Sequence, residues 1–86
     1  MPRKPKLTAL PELPEGQSAL IARVDEGLVE VMEIGFVAGV RVTPTHSGVG
    51  GDPRVYELDG TLVAVRRAAA RHIYVTSPEE NPKEGD

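Results

Sequence analysis

The stretch RVYELDGTLVAV, residues 54–65, contributes more to the choice of fold than any other part of the chain. Two short runs with β-branched and aromatic residues, 54–58 and 61–65, flank the dipeptide Asp59-Gly60. Asp-Gly tolerates the positive φ angles of a type I′ turn, whose twist matches that of two paired strands. The stretch therefore predicts a β-hairpin.

Shorter signals on both sides of this hairpin predict further strands. Three segments have the length and apolar content of strands, namely residues 17–24, 40–45 and 73–75. Turn signals around Gly16 and Gly39 precede the first two of them. In 17–24 both faces are apolar, so periodicity does not say which one points inward. In the last strand we expect Ile73 and Val75 to point inward.

Helical signals are fewer. Residues 25–34 favour one helix, with Asp25 as its cap, although Gly27 opposes a helix and a strand starting near residue 29 is the alternative. Leucines at every third position predict a short turn over 7–13, and residues 66–71 predict a single helical turn. The sum is a mainly β domain of about five strands with one helix and one short helical turn. We expect it to close into a small barrel, because closure removes exposed strand edges.

Composition excludes several classes of protein. The chain has 86 residues, a formal net charge of −3 and 3% aromatic residues, which argues against a nucleic-acid binder. It has no cysteine, which excludes a disulfide scaffold, a zinc-thiolate site and a thiol nucleophile. Its longest apolar run is too short to cross a membrane. We expect a cytoplasmic protein without direct membrane insertion.

The charges divide the chain into three parts. Residues 1–6 form a basic tail and residues 77–86 an acidic tail, and neither has an apolar pattern that could stabilise a folded state. We expect both tails to be disordered. The single domain then occupies residues 7–76.

Six pieces of the sequence share the order and spacing of one known family: VMEIGFVAGVRV at 31–42, GDP at 51–53, DG at 59–60, VRR at 65–67, Ala70 and IYV at 73–75. This ordered set resembles the FeoA family of small cytosolic accessory proteins in bacterial ferrous iron transport. Two departures are Ala38, where the family commonly has proline, and a wider loop at 49–51. The resemblance covers nearly all of the chain between the tails.

The resemblance implies an SH3-like barrel that supports FeoB, the membrane ferrous-iron transporter with a cytosolic GTPase domain. The same unit is similar to the C-terminal domain of some metal-dependent repressors. The alternative function is therefore a free-standing, metal-responsive regulatory module associated with such a repressor. A third hypothesis, an iron carrier, needs an ordered ligand set that the sequence does not display.

We predict no catalytic site, because the chain has neither a phosphate-loop pattern nor a recognisable catalytic triad order. No cofactor is expected to be required. His46 and Asp52 form the one loop pair with metal-ligand chemistry, and they predict at most weak transition-metal binding. Glutamates at 26, 30 and 33 have helical spacing, which is more typical of a solvated face.

Five residues are candidates for contact with a partner protein: Met32, Phe36, Arg66, Arg67 and Arg71. We expect Met32 to lie mostly in the core and Phe36 to be an exposed contact, since an aromatic side chain is an effective anchor. One arginine is expected to bond the backbone, and the others to meet an acidic patch or a nucleotide phosphate. Edge strands could also pair two copies into a weak homo-oligomer.

Overall fold

A computed structural model of the protein describes residues 7–27, 35–47 and 49–76. The tails at 1–6 and 77–86, predicted to be disordered, lie outside these ranges. The described residues form six strands: β1 (Leu7–Ala9), β2 (Ala19–Val24), β3 (Arg41–Ser47), β4 (Arg54–Leu58), β5 (Thr61–Val65) and β6 (Ile73–Thr76). They also form a short helix and two 3-10 turns: α1 (Arg67–Ala70), Leu10–Glu12 and Val49–Gly51.

The strands make one antiparallel sheet in the order β1-β6-β2-β3-β4-β5. The predicted hairpin is confirmed, because Leu58 at the end of β4 pairs with Thr61 at the start of β5. Between them Asp59 has a φ of 49° and Gly60 a φ of 93°. Both values are positive, as a type I′ turn requires. The hairpin is therefore formed by the residues that predicted it.

The architecture differs from the predicted barrel in two respects. There are six strands rather than about five, because Leu7–Ala9, predicted as part of a short turn, pairs with β6. Within the described residues β1 and β5 stand at opposite ends of the strand order and are not paired, so the sheet is not closed. Closure was expected in order to remove long edges. A strand of three residues exposes few unpaired backbone groups, so this open edge costs little.

The helix predicted over 25–34 lies largely outside the described residues, and so does Met32. Its first three residues are described and are not helical, since Gly27 has a φ of 91°. Asp25 instead donates its backbone N–H to the carbonyl of His72 at 3.0 Å, which extends the contact between β2 and β6. The predicted helical turn is confirmed as α1. No helix in the described part of the chain has the length and apolar character needed to span a membrane.

The core lies between the sheet and the first 3-10 turn. Ala19 and Ile21 point inward while Leu20 is 40% exposed, so the face of β2 that periodicity left open is now assigned. Ile73 and Val75 are fully buried, as predicted. Twelve apolar residues among those described are buried: Leu10, Leu13, Ala19, Ile21, Phe36, Val42, Tyr56, Leu58, Val65, Ala70, Ile73 and Val75.

Phe36 belongs to this core. Its exposed fraction is 0%, and its ring centroid lies 6.3 Å from that of Tyr56 with the two planes at 85°, an edge-to-face contact. The prediction that Phe36 is an exposed contact is therefore wrong. The chain has three aromatic side chains in all, and burying a large ring contributes more to the core than a solvent-exposed position would.

Candidate functional site

A small cavity opens where the first 3-10 turn, β4 and the start of α1 meet. Its volume is about 90 Å³. We term it the arginine–tyrosine pocket, and it is lined by Pro11, Ser47, Gly51, Arg54, Tyr56, Val65 and Arg67. Residues from four separate parts of the sequence meet here, so the pocket exists only in the folded chain.

Arg54 is fixed in the pocket by the 3-10 turn. It is half-buried at the start of β4, and its Nη1 donates a hydrogen bond to the carbonyl of Pro11 at 3.0 Å. The turn itself is held by Leu10 and Leu13, which are 0% and 1% exposed and are linked by a backbone hydrogen bond of 3.1 Å. A guanidinium with five N–H donors keeps others available after this one bond.

Tyr56 lies on the same face of β4, because side chains two residues apart in a strand point the same way. It is 1% exposed, and the guanidinium carbon of Arg54 lies 5.7 Å from the centre of its ring. Burial raises the pKa of the Tyr56 phenol above its usual 10.0, and the charges of Arg54 and Arg67 partly oppose that rise. The phenol is therefore neutral at physiological pH and carries a proton that it can donate. A side-chain hydrogen bond with Arg54 also opposes the rise; there the guanidinium donates to the phenol oxygen, and within the described residues no group accepts the phenol proton in turn.

Arg67 lines the pocket, and Asp52 is hydrogen-bonded to it. Arg67 is the first residue of α1 and is exposed. Its backbone N–H donates to Oδ1 of Asp52 at 3.0 Å, which joins the residues just before β4 to α1. The carboxylate of Asp52 is thus already engaged with the backbone, while the side chain of Arg67 faces the cavity.

The predicted metal-binding pair has two separate sets of partners. His46 is exposed, and its Nδ1 lies 3.1 Å from Oγ1 of Thr45, whereas Asp52 binds the backbone of Arg67. Among the residues that the structure describes, no three His, Asp or Glu side chains come together in a way that could hold a metal ion. Weak metal binding at His46 and Asp52 stays a prediction.

The three predicted arginines surround α1. Arg66, Arg67 and Arg71 are all exposed, and of these Arg67 lines the pocket. The arginine whose side chain bonds the backbone is Arg54, which the sequence did not single out. Arg54 and Tyr56 could have been noticed as a polar pair on one strand face. Nothing in the sequence indicated Pro11, which is 43 residues away, as their neighbour.

A second polar group, termed the Asp25–His72 cluster, joins the ends of β2 and β6. Nδ1 of His72 lies 3.0 Å from Oδ2 of Asp25, and Nη2 of Arg23 lies 3.7 Å from Oδ1 of the same carboxylate. The guanidinium of Arg23 also sits 4.5 Å from the centre of the Tyr74 ring. Each charged group in this cluster has a partner within it.

Comparison with known families decides what kind of protein this is. A family model described as FeoA, FeoA domain, matches residues 8–77. The chain belongs to the FeoA family. FeoA proteins are small accessory domains of ferrous iron transport, with an SH3-like β fold. A comparison with curated protein sequences gave no match.

Solved structures of FeoA proteins resemble this chain over most of its length. The Stenotrophomonas maltophilia FeoA, solved in complex with zinc and described as a prokaryotic SH3-domain protein, is 32% identical with a TM-score of 0.69. The match covers 79% of this chain and 88% of that one. The Chlorobium tepidum FeoA is 29% identical with a TM-score of 0.73, over 92% of this chain and 73% of the other.

A manganese-dependent transcriptional repressor shares the fold. Its TM-score is 0.77 at 20% identity, over 87% of this chain. The match covers 44% of the repressor, so the FeoA-like unit corresponds to less than half of that protein. The likeness shows that this fold also occurs in a second class of protein.

Proposed function

We propose that this FeoA protein is an accessory factor of bacterial ferrous iron uptake that docks on the cytosolic, GTPase-bearing part of a FeoB-type transporter. The observation that carries the proposal is the family match over residues 8–77. The relative from Stenotrophomonas maltophilia, described as a candidate activating factor of bacterial ferrous iron transport, supports it. Docking of this kind places the protein in the cytoplasm.

The proposed mechanism is a shift in the conformational equilibrium of the transporter. A protein that binds one nucleotide state of a GTPase more tightly than the other stabilises that state by the difference in binding free energy. A tenfold preference corresponds to about 1.4 kcal/mol. This mechanism requires neither a catalytic group nor a cofactor in the FeoA chain.

The surface around α1 is the proposed docking face. Arg66, Arg67 and Arg71 are exposed there, and a group of guanidinium charges on a chain of net charge −3 favours an acidic surface on the partner. Phe36 is removed from the set of candidates because it is buried.

Amide NMR on the isotopically labelled full chain tests the proposal. We would add the full-length transporter in lipid nanodiscs, loaded with GDP or with a GTP analogue. Signals from residues 66–71 should broaden, and more strongly in one nucleotide state. Arg67→Gln should weaken the effect, whereas Arg41→Gln, an exposed arginine on β3, should not. Absence of broadening in both states would contradict docking.

The same samples test whether an arginine acts directly on the nucleotide. An arginine supplied in trans raises GTP hydrolysis by roughly 10³-fold or more. If Arg66→Gln, Arg67→Gln or Arg71→Gln alone abolished such an increase, the protein would be a GTPase activator rather than a state-selective binder.

The second candidate function is a metal-responsive module that associates with a metal-dependent repressor. The fold shared with the manganese-dependent repressor favours it. Such a module should bind the DNA-binding chain in the presence of manganese or iron and should ignore the transporter. Paramagnetic Mn²⁺ added to the labelled protein would also test weak metal binding, which we propose at His46 and Asp52. Sedimentation velocity would test for the weak homo-oligomer.

A further inference from the structure

We infer that the arginine–tyrosine pocket binds a carboxylate group from an acidic segment of the docking partner. The identity of the partner rests on the proposed function. The chemistry of the ligand rests on the geometry of the pocket itself, so the two can be tested separately.

The charges at the pocket favour an anion. The guanidinium groups of Arg54 and Arg67 outnumber the single carboxylate of Asp52, whose Oδ1 is already bound to a backbone N–H. This local excess of positive charge is opposite in sign to the chain as a whole, which carries −3. Guanidinium groups form paired, charge-assisted hydrogen bonds with carboxylates, and Arg54 retains donors beyond the one used on Pro11.

Tyr56 supplies a further donor in the lining of the pocket. Its side chain is 1% exposed and lines the cavity; its oxygen is hydrogen-bonded by Arg54, and none of the described residues accepts its hydroxyl proton. A buried donor without an acceptor is unfavourable, so a ligand that brings an acceptor oxygen gains from it. A carboxylate has acceptor sites on both oxygens and no donor, which matches a phenol O–H beside two guanidinium groups.

The size of the cavity selects a small group. At about 90 Å³ it is well below the roughly 300 Å³ at which pockets for drug-sized ligands begin. A nucleotide does not fit, whereas the end of one aspartate or glutamate side chain does. An acidic peptide segment can place that group in the pocket while its backbone stays on the surface.

The partner is a better source of this carboxylate than the acidic C-terminal tail of the chain itself. The last described residue, Thr76, pairs with Leu7 at the start of β1. Pro11, on the pocket wall, follows the opposite end of β1. The described chain therefore ends beside the end of β1 opposite to Pro11, and a carboxylate of the tail would have to come back along β1 to reach the pocket.

Short acidic peptides test the chemistry. We would titrate the labelled full chain with acetyl-tetraglutamate amide and, as a matched probe, acetyl-tetraglutamine amide. Amides of Ser47, Gly51, Tyr56 and Arg67 should shift with the first and not with the second. Equal shifts with both peptides, or none with either, would overturn the inference. Larger shifts at these residues with inorganic phosphate at the same concentration would also overturn it.

Four variants link the shifts to the pocket. Arg67→Gln and Arg54→Gln should each weaken binding of the glutamate peptide by about fivefold or more, since each removes a charge-assisted hydrogen bond. Tyr56→Phe, which keeps the ring in the core, should weaken it by about twofold to fivefold. Arg41→Gln should leave it unchanged. Because Arg67 is exposed, its variant stays informative if Arg54→Gln disturbs the fold, and an unchanged affinity in Arg67→Gln would contradict the inference.

A variant of the C-terminal tail tests whether the carboxylate comes from the partner or from the tail itself. A full-length variant with Glu79→Gln, Glu80→Gln, Glu84→Gln and Asp86→Asn removes the acidic groups of the tail. If the pocket amides are unmoved in this variant, the tail does not occupy the pocket and the partner is supported. If they move and the peptide then binds more tightly, the tail is the occupant and the proposed source is wrong.

The transporter separates this inference from the proposed function. Docking that is weakened in both Arg67→Gln and Tyr56→Phe supports both statements. Docking that is unaffected by these variants keeps the transporter as partner but overturns both the docking face around α1 and the role of the pocket. Binding of the glutamate peptide without any docking would keep the pocket chemistry and overturn the proposed partner.

Discussion

The arginine–tyrosine pocket and the Asp25–His72 cluster are both polar, and both join residues more than forty positions apart in sequence. They differ in how their polar groups are satisfied. In the cluster, the carboxylate of Asp25 contacts both His72 and Arg23. Its side chain is 37% exposed, so its remaining acceptor sites are accessible to water. In the pocket, a nearly inaccessible phenol lies beside two guanidinium groups with an open cavity before them.

This difference indicates that the Asp25–His72 cluster stabilises the fold, whereas the arginine–tyrosine pocket can bind a ligand. Charged groups that are paired with one another and partly hydrated contribute modestly to stability. They also have few hydrogen-bonding sites free for a ligand. A buried donor with surplus positive charge around it is unfavourable until an acceptor arrives. The comparison predicts that changes in the pocket alter binding, whereas changes in the cluster alter stability alone.

Removing the Tyr56 ring should have the largest effect on stability. Tyr56→Ala deletes the largest fully buried side chain and its contact with Phe36, and should lower the free energy of unfolding by about 3–5 kcal/mol. Tyr56→Phe should change it by less than about 1 kcal/mol, because the variant loses the hydrogen bond with Arg54 but also removes a buried donor that no described residue accepts. Urea unfolding followed by circular dichroism measures both. A cost above about 2 kcal/mol for Tyr56→Phe would mean that the hydroxyl proton already has an acceptor within the protein.

Removing the link between β4 and the 3-10 turn should have the next largest effect. Arg54→Gln loses the hydrogen bond to the Pro11 carbonyl and should cost about 1–2 kcal/mol in the same unfolding assay, since the site is half-buried. The matched variant Arg41→Gln, at an exposed position, should change stability by no more than about 0.5 kcal/mol. Equal effects of the two variants would mean that the link contributes nothing.

Weakening the Asp25–His72 cluster should have a smaller effect. Asp25→Asn keeps the shape of the side chain but removes its charge, and should cost about 0.5–1 kcal/mol because both partners are partly exposed. Binding of the glutamate peptide should be unchanged in this variant. If the affinity fell as it does in Arg67→Gln, the two regions would be coupled and the distinction between them would fail.

The smallest expected effect is a pH dependence from Tyr56. Its folded-state pKa is raised above 10.0, chiefly by burial, so above that pH the unfolded chain releases the phenol proton more readily than the folded one. The free energy of unfolding should therefore be unaffected by this group at lower pH and should fall as pH rises through the folded-state pKa. Urea unfolding at pH 9, 10 and 11, against Tyr56→Phe as reference, measures the contribution. A steeper fall in Tyr56→Phe than in the unmodified chain would contradict it.

Local sequence was sufficient wherever neighbouring residues decide the outcome. The β4–β5 hairpin follows from Asp59-Gly60 between two apolar runs, and α1 and β6 follow from equally local patterns. Local sequence failed at Leu7–Ala9, where the leucine spacing indicated a short turn but the backbone groups pair with β6. That pairing joins residues nearly seventy positions apart, so no local pattern could have revealed it.

The sequence by itself determined a small, mainly β domain without cysteine chemistry, and its ordered motifs determined the family. The tertiary structure decided that Phe36 is in the core and that Arg54, Tyr56 and Arg67 share a pocket with Pro11. The physical reason is the range of the interactions. Turns and strand alternation depend on adjacent residues, whereas burial and the meeting of charges depend on how distant strands pack against each other.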